Sequence, residues 1–158
     1  AHLVAALDAV IALKRRITED LRPSALGHLG LVATLQILAD EFAQASGTPV
    51  HCTLAPVHLG PAAELMVYRL VQEATTNIAK YAQAGQVWLS LGEQGGQVCL
   101  VVRDDGVGFD AEAQPRSAYG LVGMRYRVMA EHGRLRLQTA PGQGTRIEVQ
   151  LPAATTAT

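Results

Sequence analysis

The chain has 158 residues, 49% of them hydrophobic and 17% charged, with a formal net charge of −1. That suits one domain with a real core and excludes disorder by composition. The lack of a basic stripe argues against a nucleic-acid partner, and two cysteines, Cys52 and Cys99, both in strand-like runs, do not make a disulfide scaffold or a metal cage.

The opening "LVAALDAVIALKRRITEDL" repeats Leu3, Leu7, Val10, Ile17 and Leu21 at helical spacing. Pro23 ends this helix, because the residue before a proline is pushed out of helical geometry. The longest apolar stretch is short and holds Asp8, so no membrane span is expected, and no secretory signal precedes it. The chain begins inside a helical pattern and is read as a piece of something longer. "LRPSALGHLGL" reads as a turn-rich hinge, followed by a second helix, "LVATLQILADEFAQAS", closed by Gly47 and Pro49.

"VHCTLA" reads as a short strand. Gly60-Pro61 opens a third helix running to about Ala84. "QVWLSLGE" and "GQVCLVVRD" form a hairpin around Gly95 and Gly96, and "GVGFDAEAQPRSAYG" is an irregular loop. A fourth helix, "LVGMRYRVMAEHG", ends at Gly133; the strands "RLRLQTA" and "RIEVQLP" flank the turn "PGQGT", and "AATTAT" is a frayed tail. The expected fold is an α/β (α+β) two-layer sandwich: a mixed, mostly antiparallel sheet with helices on one face, preceded by an N-terminal helix.

Three constellations carry chemistry. On the third helix, Val67, Val71, Ala74 and Ile78 form a core stripe, and Glu73, Asn77 and Lys80 fall at i, i+4 and i+7 on one polar face. A solvated acid–base face is the plain alternative there. At the end of a Val-rich strand, Asp104, Gly106 and Gly108 spell Asp-x-Gly-x-Gly. A tight turn accounts for that pattern too; the functional reading is a carboxylate accepting from a ligand amino group, with glycines letting the ligand lie on bare backbone. Gly120 and Gly123 open the fourth helix, whose free N–H groups and dipole suit an anion, with Arg125 one turn inside. Gly142 and Gly144 read, in isolation, as an ordinary hairpin turn. The long polar loop between Gly106 and Gly120 suits a lid. Together these describe an adenine-nucleotide pocket in which Asn77 helps coordinate magnesium; no P-loop sequence is present.

"QEATTNIAKYA", "DDGVGF", "GLVGMRYRV" and "PGQGTRIEVQLP" resemble, in order and spacing, the N, G1, G2 and G3 boxes of the ATP-binding domain of bacterial sensor histidine kinases. Its fold, the Bergerat fold, is shared with gyrase, heat-shock chaperone and mismatch-repair ATPases. The resemblance covers residues 60 to 151. The segment from Ile11 to Gln44 is similar to the linker between dimerisation helix and ATP domain in the nitrate-sensor class. The resemblance implies residues 1–22 as the end of a dimerisation helix, 23–30 as hinge, 31–152 as the catalytic domain and 153–158 as tail. It implies that Asp104 binds the adenine amino group, Asn77 contacts magnesium and Lys80 a phosphate. Gly106, Gly108, Gly120, Leu121, Gly123, Met124 and Arg125 would shape the lid and phosphate loop, and Thr145 would support Asp104. Glu73 matches the acidic position that activates water in the ATPase relatives.

The implied activity is protein-histidine kinase: the γ-phosphoryl of Mg-ATP passes to a histidine on a dimerisation helix, then to a response regulator with a helix-turn-helix output domain. The implied setting is a homodimeric two-component kinase with its catalytic domain in the cytoplasm. Tyr81 and Tyr126 depart from the histidine and glutamate usual at these positions. His2, His28, His51, His58 and His132 are the only histidines, and none has a phosphoacceptor context, so the phosphoacceptor is expected outside this chain. A non-catalytic ATP sensor and an ATP-hydrolysing domain remain the rival readings.

Overall fold

The computed structural model describes residues 24–109 and 116–154, excepting the side chains of 116–122. The first expected helix, most of the tail and part of the expected lid loop lie outside the described residues. The elements are α1 (Ser24–Ser46), β1 (Val50–Leu54), α2 (Pro61–Asn77) running into a π-helical turn (Ile78–Ala82), β2 (Val87–Gln94), β3 (Gln97–Asp104), α3 (Arg116–Ala130), β4 (Arg134–Thr139) and β5 (Thr145–Pro152). The sheet order is β1-β2-β3-β5-β4, with β1 parallel to β2 and every other pair antiparallel. This is the expected mixed, mostly antiparallel sheet.

Strand alternation divides the sheet into two faces. Val87, Leu89, Leu91, Val98, Leu100, Val102, Ile147, Val149 and Leu151 point inward and pack with Leu35 of α1, Val67 and Val71 of α2 and Val128 of α3. On the other face His51, Trp88 and Arg103 stand in register across three strands. The Arg103 guanidinium covers the Trp88 ring at 4.0 Å, and His51 stacks beside it at 5.7 Å. Both cysteines are free and half-buried, and burial pushes both thiols above their ordinary value.

Several boundaries differ from the sequence reading. The expected hinge is helical from Ser24, broken at Gly30, whose φ of 84° and ψ of 172° suit glycine. Leu26 and Leu31 on either side of that kink are both buried, so tertiary burial outweighs the turn-rich composition. Gly47 closes α1 in the left-handed region, its N–H donating to the Ala43 carbonyl at 2.9 Å. At the end of α3 the left-handed residue is His132, not Gly133. Gly133 is needed instead for space, since a Cβ there would lie 2.6 Å from the Gln150 carbonyl oxygen. Gly95 and Gly96 both have positive φ, as a two-residue hairpin turn requires. Among the described residues no helix is long and apolar enough to cross a membrane.

Candidate functional site

Asp104 ends β3 between Val87 of β2 and Thr145 of β5. Apolar residues dominate the buried set around it, and only 4% of Asp104 is exposed. Its Oδ1 accepts the Gly106 backbone N–H at 2.8 Å. Burial pushes its carboxyl above the ordinary range; the N–H groups of Gly106 and Thr145 pull the other way, while the neighbouring Asp105 charge adds to the rise. An ionised carboxylate with so few donors around it favours a ligand that brings one. Thr145 therefore supports Asp104 through its backbone, whereas its hydroxyl lies 3.0 Å from that of Thr139.

The glycines of the strand-end loop have a packing role as well. Bare backbone for a ligand was the expectation at Gly106 and Gly108. In the structure their missing side chains make room for the protein's own backbone. A Cβ on Gly106 would drive into the Ala82 carbonyl, with its carbon at 2.8 Å. One on Gly108, where φ is 62°, would meet the carbonyls of Ala140 and Gly144, and one on Gly144 would strike the carbonyl of Asp104. Val107 N–H donates to the Ala82 carbonyl at 2.7 Å, and Gly142 N–H to the Val107 carbonyl at 2.6 Å. The loop after Asp104 is thereby stitched to the end of α2 on one side and to the β4–β5 turn on the other. Thus Gly144 is more than a hairpin glycine.

The third-helix residues fall on two kinds of helical turn. Glu73 and Asn77 are half-buried on α2, but the chain then enters the π-helical turn, whose i→i+5 bonding shifts the phase of the residues beyond it. Lys80, exposed on that turn, lines a groove of about 780 Å³ with Phe42, Ala45, Gln72, Thr76 and Ala79, and neither Glu73 nor Asn77 lines it. Lys80 thus follows the change of helix type at residue 78, whereas Glu73 and Asn77 precede it. The turn ends at Gln83, left-handed with φ of 49°.

A second correction concerns α3. It begins at Arg116, not Leu121, so Gly120, Leu121 and Gly123 lie inside the helix. The N–H groups left free by helix geometry belong to its first turn, before Gly120. Met124 is buried in the core, while Arg125 is exposed. Among the described residues no group of three or more His, Cys, Asp or Glu side chains could hold a metal. The half-buried Asn77 offers one amide oxygen, which fits only a magnesium ion that draws its other ligands from water and phosphate.

Sequence reasoning missed two partners of this site. Asp105 Oδ1 accepts N–H bonds from Gly85 and Gln86, each at 2.8 Å. Thr139 sits in register with Thr145 and accepts the Phe109 N–H at 3.1 Å. An aspartate in a glycine turn and a threonine at a strand end are too common for either to signal a site alone.

Residues 62–155 match the family model described as histidine kinase-, DNA gyrase B-, and HSP90-like ATPase. A curated relative, the signal transduction histidine-protein kinase/phosphatase DegS of Brevibacillus brevis, is 36% identical over 151 residues. The match covers 92% of this chain but only 38% of that protein. The histidine kinase domain of the Erythrobacter litoralis EL346 blue-light activated histidine kinase superposes with a TM-score of 0.66 at 21% identity, covering 78% of this chain and 61% of that one. Full-length ShkA in complex with AMPPNP gives 0.65 at 23% identity, covering 82% and 30%. At these identities the solved structures speak for the fold.

Proposed function

The chain belongs to the histidine kinase-, DNA gyrase B- and HSP90-like ATPase family, and from that premise we propose that it is the catalytic ATP-binding domain of a bacterial sensor histidine kinase. Asp104 carries the reading: a carboxylate 4% exposed, held by one loop N–H at the end of a core strand, is suited to accept the exocyclic amino group of adenine. Loss of that donor would leave a buried charge unpaired, which is what selects adenine over bases lacking it.

The remaining roles rest on placement. Asn77 contributes one oxygen to magnesium, Lys80 reaches a phosphate, and Glu73 stands near enough in sequence to Asn77 to act on water or to orient the metal's water shell. Magnesium, when bound with ATP, supplies charge neutralisation at the phosphates. The protein's share is positioning: Asp104 fixes the base, the stitched glycine loop fixes Asp104, and α2 fixes Asn77. Arg125 and the glycines Gly120 and Gly123 of α3 belong to the segment that lines the triphosphate. Residues 1–22 are proposed as the end of a dimerisation helix, 23–30 as hinge, 31–152 as the catalytic domain and 153–158 as tail.

The chain spans under half the length of DegS, so the activity of a whole protein belongs to the proposal as well. The γ-phosphoryl would pass to a histidine on a dimerisation helix of a homodimeric kinase, nitrate-sensor-like, and on to a response regulator with a helix-turn-helix output domain on the cytoplasmic side. The test is transfer in trans. The chain is mixed with a separately folded dimerisation-helix dimer and γ-labelled Mg-ATP, and label on the helix histidine is expected. Binding without label would point to a nucleotide sensor. Steady phosphate release that Glu73→Gln abolishes would point to a hydrolase.

A further inference from the structure

We propose that Asp105, beside the base-binding aspartate, is a positioning residue of the nucleotide site: its carboxylate clasps the segment that leaves the π-helical turn, and so fixes the turn bearing Lys80 against the strand bearing Asp104. The inference rests on the ATP-binding reading above.

Three consecutive residues past β3 grip one short link. Asp105 Oδ1 accepts the N–H groups of Gly85 and Gln86, each at 2.8 Å. The Asp105 N–H donates to the Gln86 carbonyl at 3.3 Å, and the Val107 N–H to the Ala82 carbonyl at 2.7 Å. Between those anchors Gln83 adopts a left-handed conformation, and Gly106 leaves the space the Ala82 carbonyl occupies. The end of α2 and the end of β3 are thus bound over residues 82–86 by one carboxylate and the loop's own amides. Asp104 and Asp105 point to different work: one is buried at the end of β3, the other is exposed and accepts from two amides of the link.

Hydrogen bonds to an exposed carboxylate compete with water and contribute little to global stability. Their effect is to hold the base-binding strand and the π-helical turn at a set spacing, which matters when one ligand touches both. The acceptor geometry, not the charge, is the requirement, so an amide oxygen at position 105 can replace the carboxylate.

The experiment measures Mg-ATP affinity by calorimetry for the wild type, Asp105→Ala, Asp105→Asn and Asp104→Asn, with amide hydrogen exchange at Gly85 and Gln86. Asp105→Ala should bind roughly tenfold more weakly, with faster exchange at both amides and a nearly unchanged melting temperature; Asp105→Asn should restore binding and protection. Wild-type affinity in Asp105→Ala, or an Asp105→Asn variant as weak as the alanine one, would overturn the inference while a weakened Asp104→Asn leaves the ATP site standing. Full affinity in Asp104→Asn, or no ATP binding by the wild type, would overturn the site and the inference with it.

Discussion

Thr139 and Thr145 face each other in register across β4 and β5 with their hydroxyls 3.0 Å apart. Thr139 has one proton to give and donates it to the Gly144 carbonyl at 3.1 Å, while accepting from the Phe109 N–H at 3.1 Å. The Thr145 hydroxyl must then be the donor between the pair. One hydroxyl therefore joins the loop after Asp104 to the turn beside it.

Replacing Thr139 with valine keeps the shape but leaves the Phe109 N–H and the Thr145 hydroxyl without this partner. The expected cost is about 1–3 kcal/mol in urea unfolding. Thr139→Ser should recover most of it, and equal midpoints for valine and threonine would refute the role.

Alanine at Gly106 or Gly144 places a Cβ against backbone carbonyls that cannot step aside. Each substitution should cost about 3 kcal/mol or more. Gly92 and Gly123 have open space where a Cβ would go. Alanine there should leave the apo protein as stable as before, and at Gly123, inside α3, more stable by about 0.5–1 kcal/mol. Thermal melts of the four variants would separate the two classes; a stable Gly106→Ala would contradict the packing account.

Asp104→Asn should trade binding for stability. Removing a buried charge raises the apo melting temperature by about 2–4 °C, and ATP affinity falls at least about a hundredfold. The wild type carries matching pH signatures. Because burial raises the folded-state carboxyl above its unfolded value, this group's contribution to stability is full below the unfolded value and is lost as pH rises through the raised one. Nucleotide affinity runs the other way, falling as pH drops through the raised value and the carboxylate is protonated. Calorimetry from pH 4 to 8 checks both; an Asn variant that keeps the wild-type pH profile for ATP would assign it to another group.

Leu26 is 3% exposed although it lies where a hinge was expected. Leu26→Ala should destabilise by about 2–4 kcal/mol, and a chain starting at residue 31 should melt lower than one starting at residue 24. Equal stability of the two truncations would make residues 24–30 a true linker.

Much of the fold was legible from periodicity. The alternation of Val87, Leu89 and Leu91, and of Val98, Leu100 and Val102, marks two strands with one buried face each, and the glycine pair at 95 and 96 marks their turn. Pro61 after Gly60 marks the start of α2 at the residue where it begins. These are local signals, set by backbone geometry and side-chain period within a few residues. The helical run from Ser24 was not legible, because composition there favours turns and only the burial of Leu26 and Leu31 decides otherwise.

The order and spacing of one asparagine-bearing helix segment and three glycine-bearing segments determined the family and singled out Asp104. Which atom each glycine makes room for and what Asp105 and Thr139 hold were decided by tertiary structure alone. The reason is physical: a motif records residue types along one strand of chain. A Cβ clash with Ala82 and a carboxylate on the amides of residues 85 and 86 each depend on a second segment brought alongside by the core.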